Sequence, residues 1–329
     1  MKFSLHSVHG GVKNIDEIHR RARRAEELGY DGIFLGESQL SSIDSFQTLA
    51  SCAMLTKRMT LGIAVTNIVF RHPTVLAGAA ASLNEISKGR AILGLGTGDG
   101  PVYSQGRKAT PLAEFEQGVR MIRDLVQGKT IKFPTGDIGI SFSLRPTPIY
   151  VSAEGPKGLR LAGRSADGVI LGTGFDLKVF DWAKRGICQG AADAARNENE
   201  IAIVAAGMLC VRDDGREARN IVRNRIANRA HHNFRFTYET VPAEELAGVK
   251  RFMAGFDVMK PMEERVDPDL VNDYLVRRFS IAGTPKECIE RIEELKAAGV
   301  EHLMLTPARK VYGETVEAFA TKVMPHFRR

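Results

Sequence analysis

Cysteine is scarce in this chain and scattered: Cys52, Cys188, Cys210 and Cys288 form no C-x-x-C pair and have no histidine at metal-ligand spacing. That argues against a disulfide framework and a thiolate metal site, and the four read as reduced, buried thiols. No run reaches the roughly 18 uninterrupted apolar residues of a membrane span. The opening MKFSLHSVHGG lacks the apolar core of a secretory signal, so a cytoplasmic location is expected. A basic helix and an RNA-binding signature are missing too, because 46 Lys and Arg are interspersed with 39 Asp and Glu. Nucleic acid is therefore not an expected partner. An anionic small molecule suits the net charge of +7 equally well, and neither is required by it. There is no repeat of solenoid period and no low-complexity linker.

What is present is an alternation. With 329 residues, 43% of them hydrophobic, the chain can bury one large core. Apolar runs predict eight strands: Lys2 to His6, Gly32 to Leu35, Met59 to Val65, Ala91 to Leu95, Ile149 to Ser152, Gly168 to Leu171, Ile201 to Val211 and Leu303 to Thr306. Amphipathic helices separate them. Ile15, Ile18, Ala22 and Leu28 share one face of the first, which Gly29 stops; Asp44 caps the second and Pro73 opens the third. Another runs from Leu112 to Gln127, one begins at Pro156, and Thr284 to Ala298 reads as capping Thr, Pro and helix. Eight βα units predict an α/β protein, a (β/α)8 TIM barrel spanning 1–329 as a single domain. Two insertions break the pattern. Residues 129–148 read as a β-hairpin with turn residues Pro134, Thr135 and Gly136, and 230–280 as an irregular, partly helical lid.

The stretch LGLGTGDG, Leu93 to Gly100, asks to be tested as a dinucleotide fingerprint. It gives G-x-G-x-G with Asp99 where the third glycine belongs, and it follows the fourth strand instead of opening the first βαβ unit. A turn out of a barrel strand fits better, and a Gly-rich turn at a strand's C-terminal end brings backbone close to a ligand.

Several motifs together resemble one family. Thr66-Asn67, Arg71-His72-Pro73, Ala81-Ser82-Leu83, Gly89-Arg90 and GLGTGD are similar to the luciferase-like flavin-dependent superfamily, nearest to its methylenetetrahydromethanopterin reductase-like branch. The segment from Pro148 to Gly174 and the C-terminal IAGTPKECIERIEELKAAGVEHLMLTP resemble it as well, in the same order. The resemblance implies a TIM barrel that uses FMN or coenzyme F420 as a dissociable hydride carrier, without separating the two. It implies homodimers or higher homo-oligomers, and a small organic substrate.

The same resemblance assigns residues. A bulge at Ala64, Val65, Thr66 and Asn67, with a non-prolyl cis peptide, would back the carrier ring, and Thr66 and Asn67 would reach its polar edge. Gly96 and Gly98 would lie beside the ring, with Asp99 either accepting from a carrier hydroxyl or capping a turn. Glu154, Gly155, Pro156 and Lys157, with Gly172 and Thr173, would surround a phosphate at a helix N-terminus. Many relatives carry Asp-His after the second strand; here Glu37-Ser38 stands instead. Glu37 either serves as a general acid or holds Ser38 or an arginine in place. His6 is a catalytic candidate or a core histidine satisfied by backbone, His72 a site residue or a helix-start contact, and His231-His232 a solvated pair. No metal site is expected.

Three functions follow. The first is an F420- or FMN-dependent oxidoreductase transferring a hydride to or from the substrate. The second is a two-component FMN monooxygenase using O2 and a partner flavin reductase. The third is a non-catalytic flavin-binding barrel.

Overall fold

The computed structural model describes residues 1–142, 145–260 and 264–328. Positions 143 and 144 of the hairpin insertion and 261–263 of the lid lie outside the described residues.

Eight parallel strands pair in chain order: β1 (Lys2–His6), β2 (Gly32–Leu35), β3 (Thr60–Thr66), β4 (Ala91–Leu95), β5 (Ile149–Ala153), β6 (Gly168–Leu171), β7 (Ala202–Val211) and β8 (His302–Pro307). Leu5 pairs with Leu305, so β8 closes on β1 and the expected TIM barrel is formed. Barrel strands face side chains on one side and helices on the other, which is why β2 and β6 are buried at every position and read as unbroken apolar runs.

The helices start where the capping chemistry says. In α1 (Ile15–Glu27) Asn14 accepts from the Asp16 amide, in α2 (Ser45–Leu55) Asp44 accepts from Gln47, and α3 (Pro73–Ile86) and α5 (Pro156–Ser165) open on proline. Between the last two lies α4 (Leu112–Val126), and α6 (Leu177–Asp193) follows β6. His72 takes the helix-start role, its ring accepting from the Thr74 amide. The hairpin is present as antiparallel 131–133 and 136–138; Pro134 and Thr135 make the turn, while Gly136 is already paired with Phe133. The thiols are unbonded, and Cys188 is only half-buried where the other three are buried.

The lid departs from expectation. Its start, 230–237, is the end of one continuous helix, α7 (Gly215–Thr237), followed by α8 (Leu246–Gly255) and α9 (Asp273–Phe279). Ala218, Val222, Ile226, Ala230 and Phe234 recur every four residues as its buried stripe, and they join Phe252 and Phe279 in a core of their own. A further strand, Ser280–Gly283, pairs with Met208–Val211, the half of β7 beyond its pairing with β6. Then come α10 (Pro285–Ala297), opened by a Thr284–Glu287 capping box, and α11 (Tyr312–Ala318) after β8. No helix among the described residues is long and apolar enough to cross a membrane.

Candidate active site

The C-terminal end of β3 is bulged. Its register against β4 shifts between Ile63 and Thr66, and the Ala64-Val65 peptide bond is cis. Neighbouring strands hold the bulge by its carbonyls: the Glu37 amide donates to Val65 O (3.1 Å), and the Gly96 amide to Thr66 O (2.9 Å). His6 reaches the third carbonyl, Ala64 O, through Nε2 at 2.8 Å. A carbonyl only accepts, so Nε2 carries the hydrogen, and Nδ1 takes the Ser7 and Thr306 hydroxyls at 2.9 and 3.0 Å. His6 is thus occupied on both nitrogens, and burial pushes its pKa down to about 4. The geometry supports the backbone-satisfied reading for it.

Glu37 is a clamp. Its Oε1 accepts from Arg71 Nε (2.9 Å) and Nη2 (2.6 Å), its Oε2 accepts from the Thr66 hydroxyl, and Arg71 Nη2 goes on to Asp44 Oδ2 at 2.5 Å. Of the two roles open to it, the geometry supports holding an arginine; both oxygens are engaged by protein donors. Ser38 shapes the loop with its carbonyl, which accepts from the Ser41 and Ser42 amides. Thr66 and Asn67 are buried and turned to protein: Asn67 Oδ1 accepts from the Val69 and Phe70 amides, an Asx turn leading into Arg71.

Across the mouth, α7 lowers Arg229, His232 and Asn233 onto carboxylates from two strand ends. Arg229 Nη1 donates to Glu154 Oε1 (2.6 Å) and Asn233 Nδ2 to Glu154 Oε2 (3.1 Å). His232 Nδ1 lies 3.3 Å from Asp99 Oδ2. Asp99 stands at the N-terminus of the short helix Gly100–Tyr103 without a side-chain cap hydrogen bond, and its side chain meets His232 of the lid. Gly172 is buried under the ion pair, where a Cβ would lie 2.2 Å from Glu154 Oε1. Behind it Thr173 is fully buried, with its hydroxyl unpartnered and its carbonyl accepting from Arg278 Nε (3.3 Å). Gly155 and Pro156 begin α5 with no side-chain cap. Lys157 lines a groove of about 290 Å³ between α4 and α5 with Glu116, Arg160 and Arg164.

Arg71, Arg229, His232, Asn233 and Arg278 thus belong to the site or its support. Arg229, His232 and Asn233 are spaced i, i+3, i+4, so a helix running through residues 229–233 places them on one face.

The buried histidines give a pH dependence. His302, bonded to Ser4 Oγ at 2.8 Å, is also pushed by burial to about 4. Both rings are neutral when folded and protonate near 6.5 when unfolded, so acid favours the unfolded chain. Stability should be full above about pH 6.5 and fall as the pH drops towards 4, by about 2 kcal/mol for each ring at pH 5. Urea midpoints at pH 7 and pH 5 measure this, and equal midpoints would refute it.

The chain has counterparts among known proteins. The luciferase-like monooxygenase family model matches residues 2–302. The chain belongs to that family. Among its luciferase-like relatives, the 5,10-methylenetetrahydromethanopterin reductase of Methanolobus tindarius is 30% identical, over 88% of this chain and 89% of its own. The F420-dependent glucose-6-phosphate dehydrogenase of Intrasporangium calvum is 28% identical, over 93% and 92%. In fold, the chain superposes on the coenzyme F420 dependent tetrahydromethanopterin reductase of Methanopyrus kandleri with a TM-score of 0.77, 23% identity and 99% of each chain covered.

Proposed function

We propose that this protein is an oxidoreductase that transfers a hydride between a dissociable carrier, coenzyme F420, and a small organic substrate held beneath α7. The observation that carries the reading is the β3 bulge, fixed by three strands at the barrel mouth, in a family whose similar members include an F420-dependent dehydrogenase. When bound, the carrier supplies the hydride chemistry; the protein supplies position, a dry pocket and charge.

The residues fit such a group. Val65 and Gly96 form a wall in which a Cβ at 96 would come within 3.0 Å of Val65 Cγ2, leaving room for a flat ring only while 96 is glycine. The first-turn amides of α5, at Lys157 and Gly158, have no intrahelical acceptor and suit a phosphate, with the buried Thr173 hydroxyl nearby in the β6 turn. Arg229 offsets the charge of Glu154 beside that turn. The protein acts in the cytoplasm on this reading. A second copy covers the apolar side chains exposed on and before α2 and α3, namely Leu40, Met54, Leu55, Val75 and Ile86, as a homodimer or larger assembly. A monomer by light scattering would remove that contact.

Absorbance titration with oxidised and reduced F420 and FMN tests the whole reading. Micromolar binding of F420 is expected, and binding of neither carrier would end it. The family model's monooxygenase description favours a second reading, with reduced FMN from a partner reductase and O2 as oxidant. Oxygen consumption with reduced FMN distinguishes the two.

A further inference from the structure

We infer that His232 is the residue that exchanges a proton with the substrate, through Nδ1. The inference rests on the oxidoreductase reading above and adds a catalytic group to it. The other histidines are committed elsewhere. His6 and His302 are bonded inside the barrel and disfavoured as cations by burial; His9, in the turn after β1, is held by Nε2 to the Gly36 carbonyl with Nδ1 buried and unpartnered, and burial disfavours its cation too; His72 caps a helix; His231 stacks on Phe256 at 4.0 Å. His19 is tied to Ser51 Oγ, and His326 pairs with Glu293 on the helical shell. At the β2 end, Glu37 is clamped by Arg71.

His232 alone stands between carboxylates of two strand ends, with Asp99 Oδ2 3.3 Å from Nδ1 and Glu154 Oε2 3.8 Å from Nε2. Its side chain is 27% exposed, neither sealed in the core nor surrendered to solvent. Two groups of opposite demand meet at Nδ1. Asp99 can only accept there, and the Arg235 guanidinium, also in contact with Nδ1, can only donate. With a proton on Nδ1 the ring satisfies Asp99; without one it satisfies Arg235. The proton can therefore come and go while the ring stays where Phe236 packs edge-on against it at 5.6 Å. Facing Nε2, Glu154 already accepts from Arg229 and Asn233 and is not free to take the proton itself. His231, next along α7, completes the titratable neighbours.

The step balances for a carbonyl substrate. The carbonyl carbon gains a hydride, its C=O π pair moves to oxygen, and that oxygen takes the proton from Nδ1. The reduced deazaflavin or flavin that supplied the hydride ends oxidised, and His232 ends neutral with Arg235 donating to it. Oxidation of the alcohol is the reverse.

Two measurements decide it. In carrier-free protein, the His232 Nδ1 resonance followed by nitrogen NMR should move in opposite directions in Asp99→Asn and Arg235→Met, because the first removes the acceptor and the second the donor. A resonance indifferent to both changes overturns the two-partner site. In turnover with a panel of aldehydes and ketones, His232→Asn should keep carrier affinity, lose about 10²-fold or more in kcat, and lose the pH limb that the wild type shows. Added imidazole should partly restore His232→Ala, which a merely structural role would not allow. His326→Gln should behave as wild type. If the wild type neither binds a carrier nor oxidises it with any panel member, the oxidoreductase reading falls. If the wild type turns over and His232→Asn equals it, only this inference falls.

Discussion

Arg278→Ala is expected to destabilise the protein by about 4 kcal/mol or more and to loosen the lid before the barrel unfolds. Arg278 is 1% exposed, the largest fully buried side chain described. Its guanidinium ties four segments together. Nη2 donates to Asn233, Thr237 and Thr240, Nη1 to the Tyr274 hydroxyl, and Nε to the Thr173 carbonyl. The rings of Phe234 and Phe279 lie 4.9 and 5.3 Å from it. Truncation strips the Thr173 carbonyl and the threonine and tyrosine hydroxyls of this donor, leaves Asn233 Oδ1 with the Thr237 hydroxyl alone, and opens a cavity. Lysine is no substitute, since three donors on a point charge cannot span the same fork. Limited proteolysis should cut Arg278→Ala between 238 and 260 under conditions where the wild type resists, and equilibrium denaturation should show the loss. An unchanged urea midpoint would mean that the buried guanidinium contributes nothing net.

Gly94→Ala should be as damaging, for a different reason. A Cβ there would lie 2.3 Å from the Ile63 carbonyl oxygen and 3.1 Å from Ile170 Cδ1. The first contact is backbone in a paired barrel strand and cannot swing away, so a loss of about 3 kcal/mol or failure to accumulate folded protein is expected. Gly100→Ala, six residues on, meets nothing within 4 Å and should be close to neutral. Gly96→Ala lies between: its nearest contact is a side-chain methyl of Val65, so carrier affinity should drop more than stability. Thermal melts and carrier titrations on the three variants separate these effects, and a Gly94→Ala protein as stable as Gly100→Ala would contradict the packing argument.

The glycines also show how much the sequence discloses. The barrel was legible because strands such as GIFL and GVIL are buried on both faces, and because Asp44, Pro73, Pro156 and Thr284 mark helix starts through local chemistry. The β3 bulge was legible only by resemblance. What was not legible was long-range. Glu154 meets Arg229 and Asn233 across more than seventy residues, and Thr173 meets Arg278 across more than a hundred. Polar partners that distant leave no periodic trace. The lid helix is faint in the sequence because its mouth-facing residues Arg229, His232 and Asn233 are polar, which leaves one stripe of every fourth residue as signal. The strand Ser280–Gly283 is four residues with a serine and a glycine at its ends, too short for any alternation to register.

That short strand has one more consequence. The chain leaves the barrel at Val211 and returns at Ser280 alongside the same strand it left. Both ends of the intervening excursion are therefore fixed side by side, whatever lies between them. For a closure of that kind, doubling the length costs only about 0.6 kcal/mol of chain entropy. The excursion can lengthen, shorten or be exchanged at little cost in chain entropy, provided that each version folds on a core of its own, as Phe234, Phe252 and Phe279 provide here. The barrel strands need not change with it.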